Sequence, residues 1–384
     1  MAQPKAQSSD QPGPGRLIIE AVRSLSAYVP GKPISELQRQ YGVRDIVKLA
    51  SNENPWGPSP RALAAMRAAL DEVWLYPDGS SHELRDELAH SLQLPAECLT
   101  LGNGSNDLLI LLAEATLTPA HNAVYSQYGF AIYPLVIRAT GAAARVAPAL
   151  PPHSAMPLGH DLDAMAALID ARTRLVFIAN PNNPTGTWVD NGALKRFIAA
   201  AGPDTLVVLD EAYFEYARMH GVADGRQWLA EYPNLVVLRT FSKAWGLAGA
   251  RVGYALSHPD VADGLNRLRA AFNVNSIAQA GAQAALRDRA HMERCVAATG
   301  GEMRFMQQQF AARDLFTVPS AANFLLLRAG PKAGQVYEAL LRAGVIVRPT
   351  AGYGLPEFLR VSVGTHEHNL RLLQALDAQC GTLW

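Results

Sequence analysis

Uninterrupted apolar runs recur through the middle of the chain. Residues 175–179 (Leu-Val-Phe-Ile-Ala), 206–209 (Leu-Val-Val-Leu) and 235–238 (Leu-Val-Val-Leu) are short, rich in β-branched side chains and bounded by polar residues. Runs of this kind predict strands buried on both faces, as in a parallel sheet covered by helices. Such strands alternate with helical patterns from about residue 50 to about residue 280, which predicts an α/β domain with a mostly parallel central sheet. Ahead of that block, residues 17–25 and 34–41 read as short amphipathic helices and residues 46–50 as a strand. Beyond residue 285 the texture changes. A long helix is expected over 288–312, short strands at 322–327, 345–347 and 359–363, and a closing helix over about 366–379. The expected organisation is a disordered tail (1–15) and an N-terminal arm packing with the small domain (16–48). A large domain (49–284) and a smaller α+β domain (285–384) follow.

Length and composition narrow the function classes. A chain of 384 residues is long enough for two or three domains at roughly 150 residues each. Lys and Arg total 34 against 34 for Asp and Glu, so the chain lacks the basic excess of a nucleic-acid binder. The most apolar stretch, 108–117, is broken by Glu114 and falls short of the 18 or so residues of a membrane span. Cys98, Cys295 and Cys380 are scattered, form no CxxC pair and read as small buried hydrophobes. Residues 1–15 are polar, with no apolar core of a signal peptide, so the cytoplasm is the expected compartment.

Chemistry concentrates where the apolar runs end. The first runs into Asn180-Pro-Asn-Asn-Pro-Thr-Gly186, the second into Asp210-Glu-Ala-Tyr213, and the third into Thr240-Phe-Ser-Lys-Ala244, with Arg251 and Gly253 beyond. Asn183, Asp210 and Lys243 recur at roughly 30-residue intervals, the length of a strand–helix–strand unit. In open α/β sheets ligands bind outside the carboxyl ends of the strands, so the three clusters are expected to converge on one crevice. Asn, Asp, Tyr, Ser, Lys and Arg together, without a metal-ligand pattern, suit pyridoxal phosphate. Lysine condenses with its aldehyde, and a carboxylate at the ring nitrogen keeps that nitrogen protonated. Hydroxyl and amide donors hold the ring phenolate, while hydroxyls, an arginine and a helix N terminus hold the phosphate.

Rival chemistries lack their parts. The run ending Asp210-Glu211 has the look of a Walker B strand, but no G-x-x-x-x-G-K-[ST] loop accompanies it. Gly102-Asn-Gly104-Ser-Asn-Asp107 begins like a dinucleotide fingerprint but ends on Asp107; it reads better as a turn opening a helix. There is no G-x-S-x-G elbow, and His366-Glu-His368 follows Thr365, which reads as a helix cap rather than a metal neighbour. A lone lysine or aspartate at a strand end is ordinarily a solvated surface group; the full set is not.

These segments resemble the fold-type-I pyridoxal-phosphate-dependent aminotransferases. Further matching segments are Tyr28-Val-Pro-Gly-Lys-Pro, Lys48-Leu-Ala-Ser-Asn-Glu-Asn-Pro55, Tyr76-Pro-Asp78, Asn323-Phe-Leu-Leu, Val347-Arg-Pro349 and Leu359-Arg-Val-Ser-Val-Gly364. The resemblance spans residues 24–378 and implies the following roles. Lys243 would form the Schiff base with pyridoxal phosphate and move the α-proton. Asp210 would pair with the ring nitrogen. Asn183 and Tyr213 would bond the phenolate, and Tyr128 would stack on the ring. Gly104, Ser105, Asn106, Thr240, Ser242 and Arg251 would hold the phosphate. Tyr76 would reach the cofactor of a neighbouring subunit, implying a homodimer with shared sites.

The same resemblance points to the branch that moves an amino group between L-histidinol phosphate and 2-oxoglutarate, with glutamate as co-product. Arg360 would clamp the α-carboxylate of glutamate, and Arg348, Tyr28 and Asn54 would complete substrate binding. Histidinol phosphate has no α-carboxylate, so one site must accept two different anions in turn, a task that arginines suit. Two features depart from the pattern: Trp56 after Asn-Glu-Asn-Pro, and Tyr125-Ser-Gln-Tyr128 in the aromatic segment. An aromatic amino-acid aminotransferase and a pyridoxal-phosphate decarboxylase are the alternatives on this scaffold.

Overall fold

The computed structural model describes residues 14–25, 27 and 31–380. Tyr28 and nearly all of the expected N-terminal tail lie outside the described residues. Its strands are β1 (Val47–Lys48), β2 (Leu99–Gly102), β3 (Asn122–Ser126), β4 (Ala143–Ala147), β5 (Thr173–Ala179), β6 (Leu206–Asp210), β7 (Leu235–Thr240), β8 (Gly253–Leu256), β9 (Thr317–Val318), β10 (Phe324–Arg328), β11 (Val345–Ile346), β12 (Arg348–Pro349) and β13 (Phe358–Ser362).

Seven strands form one sheet in the order β2-β8-β7-β6-β5-β3-β4. Strand β8 runs antiparallel to both its neighbours, and all other pairings in this sheet are parallel. The continuous apolar runs are explained by the pleat. Val176 and Ile178 of β5 face one core with Val207, Leu209 and Val237, whereas Leu175, Phe177 and Ala179 face another with Val208, Val236 and Leu238. Both faces are covered, so neither set of alternate positions is polar. The sheet is the mostly parallel one expected from sequence, in a fold that is α/β.

The second sheet is antiparallel, ordered β12-β13-β10-β9. Leu325, Leu327, Leu359 and Val361 from it share a core with Met303, Met306 and Phe310 of the helix Arg289–Ala311 and with Leu372 and Leu376 of the helix His366–Cys380. The helix Ile34–Tyr41 buries Leu37 against Leu341 and Ile346. Strand β1 pairs in parallel with β11, Val47 opposite Val345.

Three local expectations change. The strand at 46–50 shortens to Val47–Lys48, because the chain then leaves β11 and turns at Asn52, whose φ is 57°. The strand at 345–347 splits into β11 and β12, since the chain changes sheet at Val347. The helix over 17–25 is reduced to a 3-10 turn at Pro14–Leu17 and one α turn at Glu20–Arg23. Neither short turn buries a side chain, and an isolated turn lacks the packing that stabilises helices.

Candidate active site

The carboxyl ends of β5, β6 and β7 meet at one edge of the large sheet. Asn180 N–H donates to the Asp210 carbonyl at 2.9 Å, and Glu211 N–H donates to the Leu238 carbonyl at 2.9 Å, so parallel register delivers all three polar clusters side by side. They open onto a cavity of about 270 Å³. Its wall includes Asn183, Asp210, Tyr213, Thr240, Ser242, Lys243 and Arg251 from the large domain, and Arg348 and Arg360 from the second sheet.

One end of the cavity is built for an anion. The helix Ser105–Thr116 starts there, and Ser105 and Asn106 line the wall. Gly104 is its N-cap, with φ +79°, and no side chain caps the first turn, so its N–H groups are directed at the cavity. Arg251 closes the same corner, its own φ in the left-handed region at 61°. It donates to Ser242 Oγ at 3.3 Å and to the Ala248 carbonyl at 2.9 Å. A Cβ on Gly104 would lie 2.3 Å from Arg251 Nη2, and one on Gly253 would lie 2.7 Å from Ser105 N. Glycine at both positions is what lets the guanidinium and the helix N terminus share the corner.

The middle of the cavity holds the proton-handling groups. Lys243 Nζ donates to the Ser51 carbonyl at 3.1 Å. Burial, then the nearby Arg360 and Arg251 charges, bring its amine down to about 8. Asp210 accepts from Tyr133 Oη at 3.0 Å on Oδ2 and from Ala212 N–H at 3.2 Å on Oδ1. Burial pushes its carboxyl up to about 6, against those donors and Lys243. Tyr213 is likewise pushed up to about 12 by burial and keeps its phenol proton, while its Oη accepts from Asn52 Nδ2 at 2.9 Å.

Arg360 is buried at the far wall. Its Nη1 donates to Asn183 Oδ1 at 2.5 Å and its Nη2 to the Ala50 carbonyl at 2.6 Å. Nε is buried without a partner among the described residues, which leaves donor capacity for an incoming anion. Arg348 sits across the ladder from it and is half-buried.

Not every residue expected at the site reaches it within one chain. Tyr76 is 82% exposed and stacks on Phe272, with centroids 4.7 Å apart. Tyr128 packs against Leu158, Val318, Leu326 and Leu355, and its carbonyl accepts from Asn182 Nδ2 at 2.9 Å; the aromatic residues along the cavity wall are Phe130 and Tyr213. Asn54 lies behind the wall, donating to the Ala244 carbonyl at 2.9 Å beside Lys243 and accepting from Trp56 N–H at 3.0 Å.

Two residues were missed. Tyr133 contacts Asp210 from a helix 77 positions upstream, and no local pattern marks it. Asn52 spends every polar group on a junction. Besides Tyr213, its N–H donates to Ser362 Oγ at 2.8 Å, that hydroxyl donates to Asn52 Oδ1 at 2.8 Å, and its carbonyl accepts from Asn323 Nδ2 at 3.1 Å. The segment Lys48-Leu-Ala-Ser-Asn-Glu-Asn-Pro55 was legible; Asn52's role in it was not.

A buried carboxylate, a depressed lysine, a phenol and an anion corner in one cavity fit a phosphorylated pyridine aldehyde. Comparison with known proteins agrees. Residues 44–376 match the family model for aminotransferase class I and II, and the chain belongs to that family. Among curated relatives, histidinol-phosphate aminotransferase 2 of Pseudomonas aeruginosa is 54% identical over 357 residues, 92% of this chain and 95% of the relative. Histidinol-phosphate aminotransferase 1 of Nitrosococcus oceani is 49% identical over 94% of this chain and 96% of its own. The crystal structure of histidinol-phosphate aminotransferase from Sinorhizobium meliloti in complex with pyridoxal-5'-phosphate superposes with a TM-score of 0.85 at 28% identity, covering 99% of this chain and 100% of that one.

Proposed function

We propose that the chain is a pyridoxal-phosphate-dependent aminotransferase that moves the amino group between L-histidinol phosphate and 2-oxoglutarate. The observation that carries this reading is the single cavity in which Lys243 and Asp210 face the paired arginines Arg348 and Arg360. Relatives of about half-identical sequence over more than nine-tenths of the chain supply the substrate class.

When bound, pyridoxal phosphate supplies an aldehyde for amine exchange and a cationic ring that accepts electrons from the substrate. This chain's residues do the rest. The helix N terminus at Ser105, with Ser242, Thr240 and Arg251, holds the phosphate. Asp210 faces the ring nitrogen and keeps it protonated. Asn183 and Tyr213 hold the phenolate. Lys243, whose amine is neutral about half the time near pH 8, would take up the proton released from the substrate's amine-bearing carbon and give it back within the same half-reaction. Arg360, with its Nε unpartnered among the described residues, offers charge and a buried donor to a carboxylate, and Arg348 reaches the same space for a phosphate or a side-chain carboxylate.

The working unit in this reading is a homodimer. Trp74 is 79% and Tyr76 82% exposed, with Val73, Leu75 and Phe272 around them, an apolar patch that a second copy would cover. Tyr76 then reaches the neighbouring copy's phosphate. Of the arm expected over 16–48, the helix Ile34–Tyr41 and β1 pack with the small domain, through Leu341 and the β1–β11 pairing, whereas the α turn Glu20–Arg23 lies against the helix Ile132–Ala139 of the large domain. Among the described residues no helix is long and apolar enough to cross a membrane, and the proposed compartment is the cytoplasm.

The test is the visible absorbance of the holoenzyme during addition of L-histidinol phosphate and then 2-oxoglutarate. Bleaching by the first and recovery with the second is the expected result. Bleaching by phenylalanine or tyrosine alone would transfer the assignment to an aromatic amino-acid aminotransferase.

A further inference from the structure

We propose that Tyr133 is a positioning residue for the reaction. Its hydroxyl holds Asp210 as a carboxylate, so that the proton between Asp210 and the cofactor ring stays on the ring nitrogen. The inference rests on the cofactor reading above and deepens it.

The geometry is specific. Tyr133 is fully buried, and its Oη donates to Asp210 Oδ2 at 3.0 Å. The ring is fixed by stacking on Phe177 of β5, with centroids 4.8 Å apart and 7° between planes, and by edge contacts with Phe130 and Tyr125. A side chain locked in this way presents its hydroxyl in one direction, so the donor reaches Asp210 already oriented.

Asp210 needs such a donor. It is buried beside apolar β6 and β7 and has one further donor, the Ala212 N–H on its other oxygen. Lys243 and Tyr213 line the same cavity, and the hydrogen bonds of their side chains go to the Ser51 carbonyl and to Asn52. Burial alone favours the protonated acid, and each donated hydrogen bond favours the carboxylate. Burial and the adjacent carboxylate raise the Tyr133 phenol well above its ordinary range, so it remains a donor at any working pH. Loss of one bond to a charged acceptor corresponds to about ten- to a hundred-fold in proton partition. Without it, the proton would pass from the ring nitrogen to Asp210, leaving two neutral groups and a weaker electron sink.

The experiment is nitrogen NMR on holoenzyme carrying cofactor labelled at the ring nitrogen, in wild type, Tyr133→Phe and Phe177→Leu. The expected result is a pyridinium signal in wild type, a shift toward neutral pyridine in Tyr133→Phe, and a smaller shift in Phe177→Leu, which loosens the stack but keeps the hydroxyl. An unchanged signal in Tyr133→Phe, an equal shift in Phe177→Leu, or a neutral ring in wild type would each overturn the proposal. If Tyr133→Phe does not fold, 4-aminophenylalanine at position 133 replaces it; its weaker donor should shift the ring-nitrogen signal toward neutral pyridine, and an unchanged signal would overturn the proposal. A wild-type protein that takes up no cofactor at Lys243 would instead defeat the functional reading itself, and this inference with it.

Discussion

Arg348 and Arg360 stand directly opposite one another on antiparallel β12 and β13, and both side chains reach the wall of the same cavity. Like charges at facing sheet positions cost about 0.2–1 kcal/mol. Here the repulsion is useful, because a bound anion relieves it. Arg348→Ala is expected to harm turnover of L-histidinol phosphate more than that of phenylalanine, by about ten-fold or more in kcat/KM. Equal losses on the two amines would remove Arg348 from phosphate recognition.

Arg360 has less freedom than Arg348, since Asn183 and the Ala50 carbonyl already fix two of its nitrogens. Arg360→Lys keeps the charge and loses the fork. Its KM for glutamate should rise about ten- to a hundred-fold with a smaller change in cofactor affinity. Competition experiments with dicarboxylates would read the effect, and an unaltered KM would count against the clamp.

Lys243 offers a pH test. Its amine, lowered to about 8 by burial and by Arg360 and Arg251, is protonated below that pH and neutral above it. Only the neutral amine attacks an aldehyde. Mixing apoprotein with pyridoxal phosphate should therefore give a rate that rises with pH and levels off above about 8. A rate still climbing past pH 10 would mean an unperturbed lysine. Lys243→Ala is expected to keep the fold and bind the cofactor non-covalently while losing turnover.

Glu211 and Arg239 form a buried pair, with Arg239 Nε 2.9 Å and Nη2 2.6 Å from Glu211 Oε2, and Asp224 also bound to the guanidinium. This pair ties the end of β6 to β7, one residue from Asp210 and one from Thr240. Removing one partner of a buried ion pair costs about 3–5 kcal/mol. Glu211→Gln should lose stability on that scale in urea denaturation; a loss below about 1 kcal/mol would show that the pair is replaceable.

The site was legible where chemistry follows directly on an apolar run. Asp210, Thr240 and Lys243 sit at or just beyond the ends of β6 and β7, so the run and its polar stop identify strand and function together. The helix over 34–41 was readable because it is bounded by Pro33 before it and by Gly42, at φ 70°, after it. What was not legible depends on distance in sequence. Tyr133 meets Asp210 only through the β3–β5 arrangement, and Arg239 reads as one more residue of a strand until its partners appear. Tyr128 was expected on the ring face from the family resemblance; its packing against Val318 and Leu326 of the second sheet is a contact that sequence spacing does not announce.

Asn52 joins the two sheets through Tyr213 on one side and Ser362 and Asn323 on the other, and every one of those links is a hydrogen bond. Water can replace such links one for one, whereas an apolar seam would expose oily area at about 25 cal/mol for each Å² opened. The joint therefore sets register rather than adhesion: one side chain holds Tyr213 and the approach to β10 in a fixed relation, while the apolar contact across it is left to Tyr213 and Phe324, whose centroids are 5.3 Å apart.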